Sequence, residues 1–448
     1  MNRTLKNDNL ALAIFMLLAA IVMFSNPLQI VLTGNTVLDR TMLGNSLNYF
    51  AIYPLCLMLL IVTGRNLHLA GTDLINITML ASLPISVLIR QWGDGFGFSR
   101  ATTLLRLAVI LSSYFLFRNL RLQAGGLRRM LVGIFAMSVV LTIGLAAYFT
   151  KNGMFTYSMS SVLGIDRPQL GGTLLQSTEM SDILGVVLLL GMCVWAVSTK
   201  RTSRFVVIIV ALPVLYMFVL MGAIGSFVSL AIVLGMFLAG HAKRRWTTAI
   251  WIVCLIFALG AVYYEIDGSG ASGLSVLVDK LGVKVQSDER NGMYNELWKM
   301  IKTDGFYGGG YGMFYDTTGL YPHHNILGIW SELGFFCMLA YLLQFGLCVY
   351  WSIRIVVLSA GRGRGRVFID VAGCFCMIVL FLHLKGLVHD TWYDLTLMLY
   401  TGSMLGLCSN LKILLGIPAD RPRVGTRPIG DCRVFAGMEL HDNEDCRL

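Results

Sequence analysis

Two adjacent imidazoles, His323 and His324, stand immediately ahead of an apolar run, with Asn325 beside them. An imidazole near its ordinary pKa can take a proton from a sugar hydroxyl, and a neighbouring amide can orient it. A polar cap at a membrane boundary is the other use of a histidine placed so. Upstream, Arg290 leads a segment with helical period. Laid out at about 100° per residue, Met293, Tyr294, Leu297, Trp298 and Ile301 share one face, and Arg290 projects onto it. A guanidinium on the greasy side of an interfacial helix needs an anion there. A second arginine, Arg167, follows Asp166 and precedes Pro168 and the Gly171-Gly172 pair. Paired with Asp166 it is a surface residue; facing the same cavity as Arg290 it is a second cation. The planar fork of arginine suits phosphate, because it gives two parallel, charge-assisted hydrogen bonds.

Between the arginine and the histidines runs a glycine-rich stretch, Gly308, Gly309, Gly310 and Gly312, interleaved with Tyr307, Tyr311, Phe314 and Tyr315. No Gly-Lys-Ser/Thr follows it, so a nucleotide-phosphate loop is not indicated. Close backbone approach or a hinge fits the glycines better, and the aromatic rings, like Trp298, suit stacking on sugars or residence in the membrane interface. Glu332 falls inside the next apolar run, where it should face protein or a cavity and partner a histidine or arginine. Arg106, His389, Asp390 and Asp394 lie where they could line the same cavity. No HExxH, paired CxxC or GxSxG pattern occurs, and the three histidines at the cavity end lack the i, i+4 spacing of a metal site. The chemistry expected needs no metal and no cofactor.

The elements that must position these residues are membrane helices. Of 448 residues, 56% are hydrophobic and 13% charged, and the mean hydropathy is +0.71. That excludes an ordinary soluble globule and points to an all-α polytopic membrane protein. The net charge of +10 does not indicate nucleic acid, because the basic residues cluster in short connections between apolar runs. Arg118, Arg121, Arg128 and Arg129 form one group, Lys200, Arg201 and Arg204 a second, Lys243, Arg244 and Arg245 a third, and Arg354, Arg362, Arg364 and Arg366 a fourth. This is the positive-inside pattern. Eight of the ten cysteines lie in apolar segments and two in the tail, so no external disulfide framework is expected.

Twelve spans are expected, over 10–24, 47–62, 74–89, 101–117, 130–149, 183–197, 205–221, 224–239, 249–264, 326–351, 368–384 and 392–407, with both termini cytoplasmic. The first run has no A-x-A site and is expected to remain as a span. Residues 1–409 form one membrane domain with large outer loops over 150–182 and 265–325, and 410–448 form a cytoplasmic tail. Loops of that length usually carry function.

This pattern resembles the O-antigen ligase and O-antigen polymerase (Wzy-type) superfamily of bacterial envelope glycosyltransferases. The resemblance rests on an arginine and a Trp-bearing helix (Arg290, Trp298), a G-x-G-x-x-x-F stretch over Gly308 to Phe314, and Pro322-His323 followed by Leu327, Glu332 and Gly334. Aligned without a gap, His323 takes the family histidine and His324 stands where the family has asparagine; aligned on His324-Asn325, the interval to Gly334 is one residue short. The family's Ser-Arg at the start of a middle span is absent, because Phe227 follows Ser226. The resemblance implies a GT-C-like membrane enzyme of the bacterial inner membrane with a periplasmic active site. It implies metal-independent, inverting transfer of a glycan from undecaprenyl diphosphate to a sugar hydroxyl. In that scheme Arg290 and Arg167 grip the diphosphate and His323 or His324 activates the acceptor, while Asn325, Trp298, Tyr311 and Glu332 serve substrate binding. The implied partners are the lipid-linked oligosaccharide, an acceptor glycan, the lipid bilayer and a chain-length regulator. The expected activity is that of a polysaccharide polymerase. An O-antigen ligase acting on lipid A-core is the alternative, and a transporter of the same lipids predicts midplane charge pairs and an internal repeat.

Overall fold

The computed structural model describes residues 2–25, 27–28, 31, 48–64, 71–90, 98–119, 124–151, 155–159, 166–170, 177–220, 224–240, 288–319, 322–359, 366–387 and 394–414. In chain order these form α1 (Asn2–Met23), a short π-helical turn (Asn48–Ile52), α2 (Tyr53–Gly64), α3 (Gly71–Arg90), α4 (Phe98–Asn119) and α5 (Ala124–Lys151). Next come β1 (Phe155–Met159), β2 (Asp166–Leu170), α6 (Ser177–Val197), α7 (Arg201–Leu220) and α8 (Ile224–Gly240). Last are α9 (Asp288–Asp304), α10 (Met313–Thr318), α11 (Asn325–Leu333), α12 (Phe335–Ser359), α13 (Arg366–Lys385) and α14 (Leu395–Leu414).

Among the described residues, 7 helices are long and apolar enough to cross a membrane: those within α3, α4, α5, α6, α7, α12 and α13. Shorter apolar helices cover Asp8–Met23, Phe50–Thr63, Gly225–Met236 and Leu395–Leu411. All of these overlie apolar runs expected from the sequence; the run 249–264 lies outside the described residues. Their outward faces are apolar too. On α7, Phe205, Val206, Ile209, Leu212 and Tyr216 are exposed, and on α12 so are Leu339, Leu343 and Ile353. Such continuous apolar surface is a liability in water and a requirement in lipid. By contrast, α6 is almost wholly buried and is the central post of the bundle.

Contacts fix the relative directions of the helices. α3 runs antiparallel to α4, with Asp73 beside Arg118 and Asn76 beside Tyr114. α14 runs parallel to α4, so that Gly402 lies on Ile110 and Asn410 donates to the Phe117 carbonyl. α13 runs antiparallel to α6 (Lys385 to Asp182, Phe381 to Gly185) and to α12 (His383 to Tyr341, Cys376 to Cys348). The bundle therefore has a basic end, carrying Arg118 and the α6–α7 connection with Lys200, Arg201 and Arg204, and an opposite end where α13 stops and α14 begins.

A buried knot ties the basic end. Arg118 grips Asp73 with both Nε (2.7 Å) and a terminal nitrogen (2.9 Å), and Tyr114 donates to the same carboxylate at 2.6 Å. Asn76 donates to Tyr114 and to Ser409 of α14. Along the α4–α14 seam, Gly402 and Gly406 let the backbones touch: a Cβ at 402 would collide with the Ile110 carbonyl and Ser113 Oγ. Small residues at such spacing are how membrane helices approach closely without a hydrophobic driving force.

One expectation needs correction. The run 326–351 is not one span. It is α11 followed by α12, broken at Gly334, whose φ of 90° and ψ of 177° suit glycine alone; apolar residues on both sides of the break hide it from hydropathy. The described residues are otherwise helical apart from one small hairpin. In the first long loop β1 and β2 pair antiparallel, with Ser158 opposite Arg167, and the FTYSM sequence of β1 has the β-branched and aromatic content that a strand favours.

Candidate functional site

The site end is built by α9, α10 and α11. The last turn of α9 carries Lys302, a charge that suits that end of the helix dipole. Its buried stripe is Met293, Leu297 and Ile301. Met293 and Leu297 cluster with Phe314 of α10, with Leu327 of α11 packed alongside. Trp298, expected on that face, sits at its edge instead: it is 44% exposed and meets Trp330 edge to face, centroids 5.9 Å apart. Arg290 lies in the first turn of α9, one turn before Met293 and Tyr294; its side chain is outside the described residues. Arg167 is placed as a residue of β2, which packs beside α6.

The glycine run is a clasp, not a cradle. Its amides are already spent: Gly308 N–H on the Asp304 carbonyl, Gly309 N–H on Ser331 (2.8 Å) and Gly310 N–H on Glu332 (3.0 Å). Those last two acceptors are carbonyls at the end of α11 that the helix itself leaves unsatisfied. Phe335 N–H returns a bond to the Phe306 carbonyl at 3.2 Å, Trp330 Nε1–H donates to Gly305 and Arg90 donates to Gly308. Gly308 (φ 78°) and Gly334 (φ 90°) touch through their backbones, and a Cβ at 308 would stand 2.6 Å from the Glu332 carbonyl. Tyr311 packs half-buried against the cluster of Leu83, Val87 and Ile329.

Glu332 is 3% exposed and accepts the backbone N–H groups of Gly312 and Phe314, so it caps α10, whose own N-cap residue is a glycine without a side chain to do so. α11 precedes the membrane-spanning part of α12. There, burial pushes the Glu332 carboxyl up to about 7, with the two N–H groups pulling the other way.

His324 is the N-cap of α11. Its Nδ1 accepts from Leu327 N–H at 3.3 Å, and its ring meets Tyr294 of α9 edge to face at 6.3 Å. Accepting at Nδ1 places the proton of the neutral ring on Nε2. The lone pair a base would use is therefore committed to the cap, and burial pushes the pKa below the ordinary histidine value. His323, one residue earlier, is half-buried on the same corner. Asn325 is fully buried: its N–H donates to the Gly386 carbonyl (2.7 Å) and its side-chain amide to Tyr341 (2.8 Å). It anchors the histidine pair to the end of α13 and to α12.

The structure also brings in residues that the sequence reading passed over. Tyr341 OH lies 2.9 Å from His383 Nδ1, while Lys385 donates to Asp182 and Ser226. Asp394 caps α14 through Thr396 N–H and is within electrostatic range of Asp182 and Arg106. His389 and Asp390 lie outside the described residues. The signal for Lys385 and Asp182 was a single charge at the end of an otherwise apolar run. No protein-family model matches this chain, and no curated protein matches it.

Proposed function

We propose that the protein is a membrane glycosyltransferase that joins lipid-linked repeat units into polysaccharide, using an undecaprenyl-diphosphate-linked glycan as donor. One observation carries the reading. Tyr294 of α9 meets His324, so the helix turn holding Arg290 adjoins the histidine corner, about 6 Å farther along the helix. In this reading Arg290 is the cation for a leaving diphosphate, and the histidine corner beside its helix supplies the base for an acceptor hydroxyl. In this reading His323 takes the proton from the acceptor hydroxyl, since His324 is committed as a cap. The oxygen attacks the anomeric carbon with inversion, and the bond to the diphosphate breaks. The charge that builds on the diphosphate is met by Arg290 and by Arg167 of the β-hairpin. The reading includes a GT-C-like arrangement of twelve spans, both termini in the cytoplasm and the site on the periplasmic face of a bacterial inner membrane. A chain-length regulator is the protein partner it implies.

The test is transfer by the purified full chain in nanodiscs, with the lipid-linked oligosaccharide as both donor and acceptor. Polymer is expected from the wild type and none from Arg290→Ala or His323→Ala. His324→Asn should stay within about tenfold, because asparagine caps a helix as well as any residue. Wild-type activity in a folded His323→Ala variant removes the base assignment. Transfer only to lipid A-core would make the protein a ligase, and absence of any new glycosidic bond would sink the reading.

A further inference from the structure

Lys385 ends α13 at the site end. Its ammonium donates to Asp182 Oδ1 of α6 (2.9 Å) and to Ser226 Oγ of α8 (2.7 Å), and Ser226 Oγ in turn donates to Asp182 Oδ1 (2.9 Å). The Lys385 and Asp182 side chains are only 2% and 8% exposed. Burying two charges so deeply costs more than apolar packing of the same volume, so stability alone is a weak reason for the pair. Its position is the stronger reason. Gly386, the next residue, accepts the N–H of Asn325 and so holds the histidine corner on one side. On the other, α6 supplies Asp182 and packs beside β2, the strand of Arg167. The lysine therefore stands between the two outer elements that the proposed reaction needs, and Asp394 and Arg106 add one charge of each sign nearby.

We propose that Lys385 is a further diphosphate-binding residue, held by Asp182 and Ser226 until the donor arrives and then turning to the diphosphate. The inference rests on reading the donor as a lipid diphosphate. A lysine suits the task because its ammonium is a compact charge with three donors on a flexible stem. Exchange trades one ion pair for another and leaves Asp182 as the buried charge without its cation, a cost that the diphosphate contacts must exceed. Ser226 already donates to Asp182, so the carboxylate keeps a hydrogen bond after the ammonium leaves. Without Asp182, Lys385 would be a buried cation with no counter-charge until the donor arrives, a costly state.

The experiment titrates inorganic pyrophosphate into the full chain in nanodiscs by calorimetry. The informative variant is the double replacement K385M/D182N, which leaves no lone charge of the pair behind. It should bind about 10- to 100-fold more weakly than wild type, the range of one charge-assisted hydrogen bond. K385R should retain binding, and D182N alone, which loosens the hold on the ammonium, should bind at least as tightly as wild type. A double variant that melts with the wild type and binds pyrophosphate equally well overturns the proposal. If the double variant does not fold, weaker binding by D182N overturns it instead. Glycan transfer is measured in parallel. A wild type that polymerises glycan while its pyrophosphate binding ignores Lys385 defeats this inference alone; a wild type that makes no glycosidic bond defeats the underlying reading.

Discussion

Gly308→Ala is the perturbation that most directly interrogates the clasp. The proper comparison is Gly312→Ala. Both glycines have nearly the same positive φ, 78° and 81°, so the strain of placing an alanine in the left-handed region cancels between the two variants. What differs is space: a Cβ at 312 meets nothing within 4 Å, whereas one at 308 stands 2.6 Å from the Glu332 carbonyl and also collides with Gly334. Accommodating it forces the glycine strand off the end of α11. Three backbone bonds then go: Gly309 to Ser331, Gly310 to Glu332 and Phe335 to Phe306. At about 0.5–1.5 kcal/mol each, the extra cost of the 308 variant is about 2–4 kcal/mol. Hydrogen exchange read by mass spectrometry over peptides spanning 306–314 and 331–335 provides the assay. Protection there should fall about 30- to 1,000-fold more in Gly308→Ala than in Gly312→Ala, while α6 and α13 stay unchanged. Equal protection in the two variants would show that the 308–334 contact does not hold the loop.

Glu332 makes the same junction pH-sensitive. Its folded-state pKa, about 7, is above the ordinary value of 4.5, so its contribution is fully present below pH 4.5 and is lost as pH rises through about 7. The loss is about 3 kcal/mol at most, and Glu332→Gln should flatten the profile when exchange in α10 is followed against pH; a wild-type profile with no decline between those pH values would contradict the burial argument. At the basic end, Asp73→Asn strands the Arg118 guanidinium and should cost about 3–5 kcal/mol, lowering the thermal midpoint in detergent. The double variant Asp73→Leu with Arg118→Met should recover most of that loss.

The helices were legible because hydropathy needs only composition over a window, and apolar runs from α1 to α14 supplied it. The stripe of Met293, Leu297 and Ile301 was equally legible, since period alone fixes a face. The break at Gly334 was not: Leu333 and Phe335 are both apolar, and a glycine inside a span reads as tolerated until its φ is known. The histidine corner was half legible. Sequence placed two imidazoles at a boundary, but only the bond from Leu327 N–H separates the cap from its neighbour. Asn325 suited an orienting amide by type, and only burial revealed it as an anchor. The partnership of Lys385 with Asp182, residues 203 positions apart, lay beyond any local pattern. Each alone looks like an ordinary charge at a span boundary.

The Asp73 knot has a mechanical consequence. Bidentate, dry and braced by Tyr114, it joins α3 to α4, while the glycine seam locks α14 to the same pair with no slack for sliding. Sliding of α3 or α14 along α4 would therefore break the ion pair or drive the seam glycines into the neighbouring backbone.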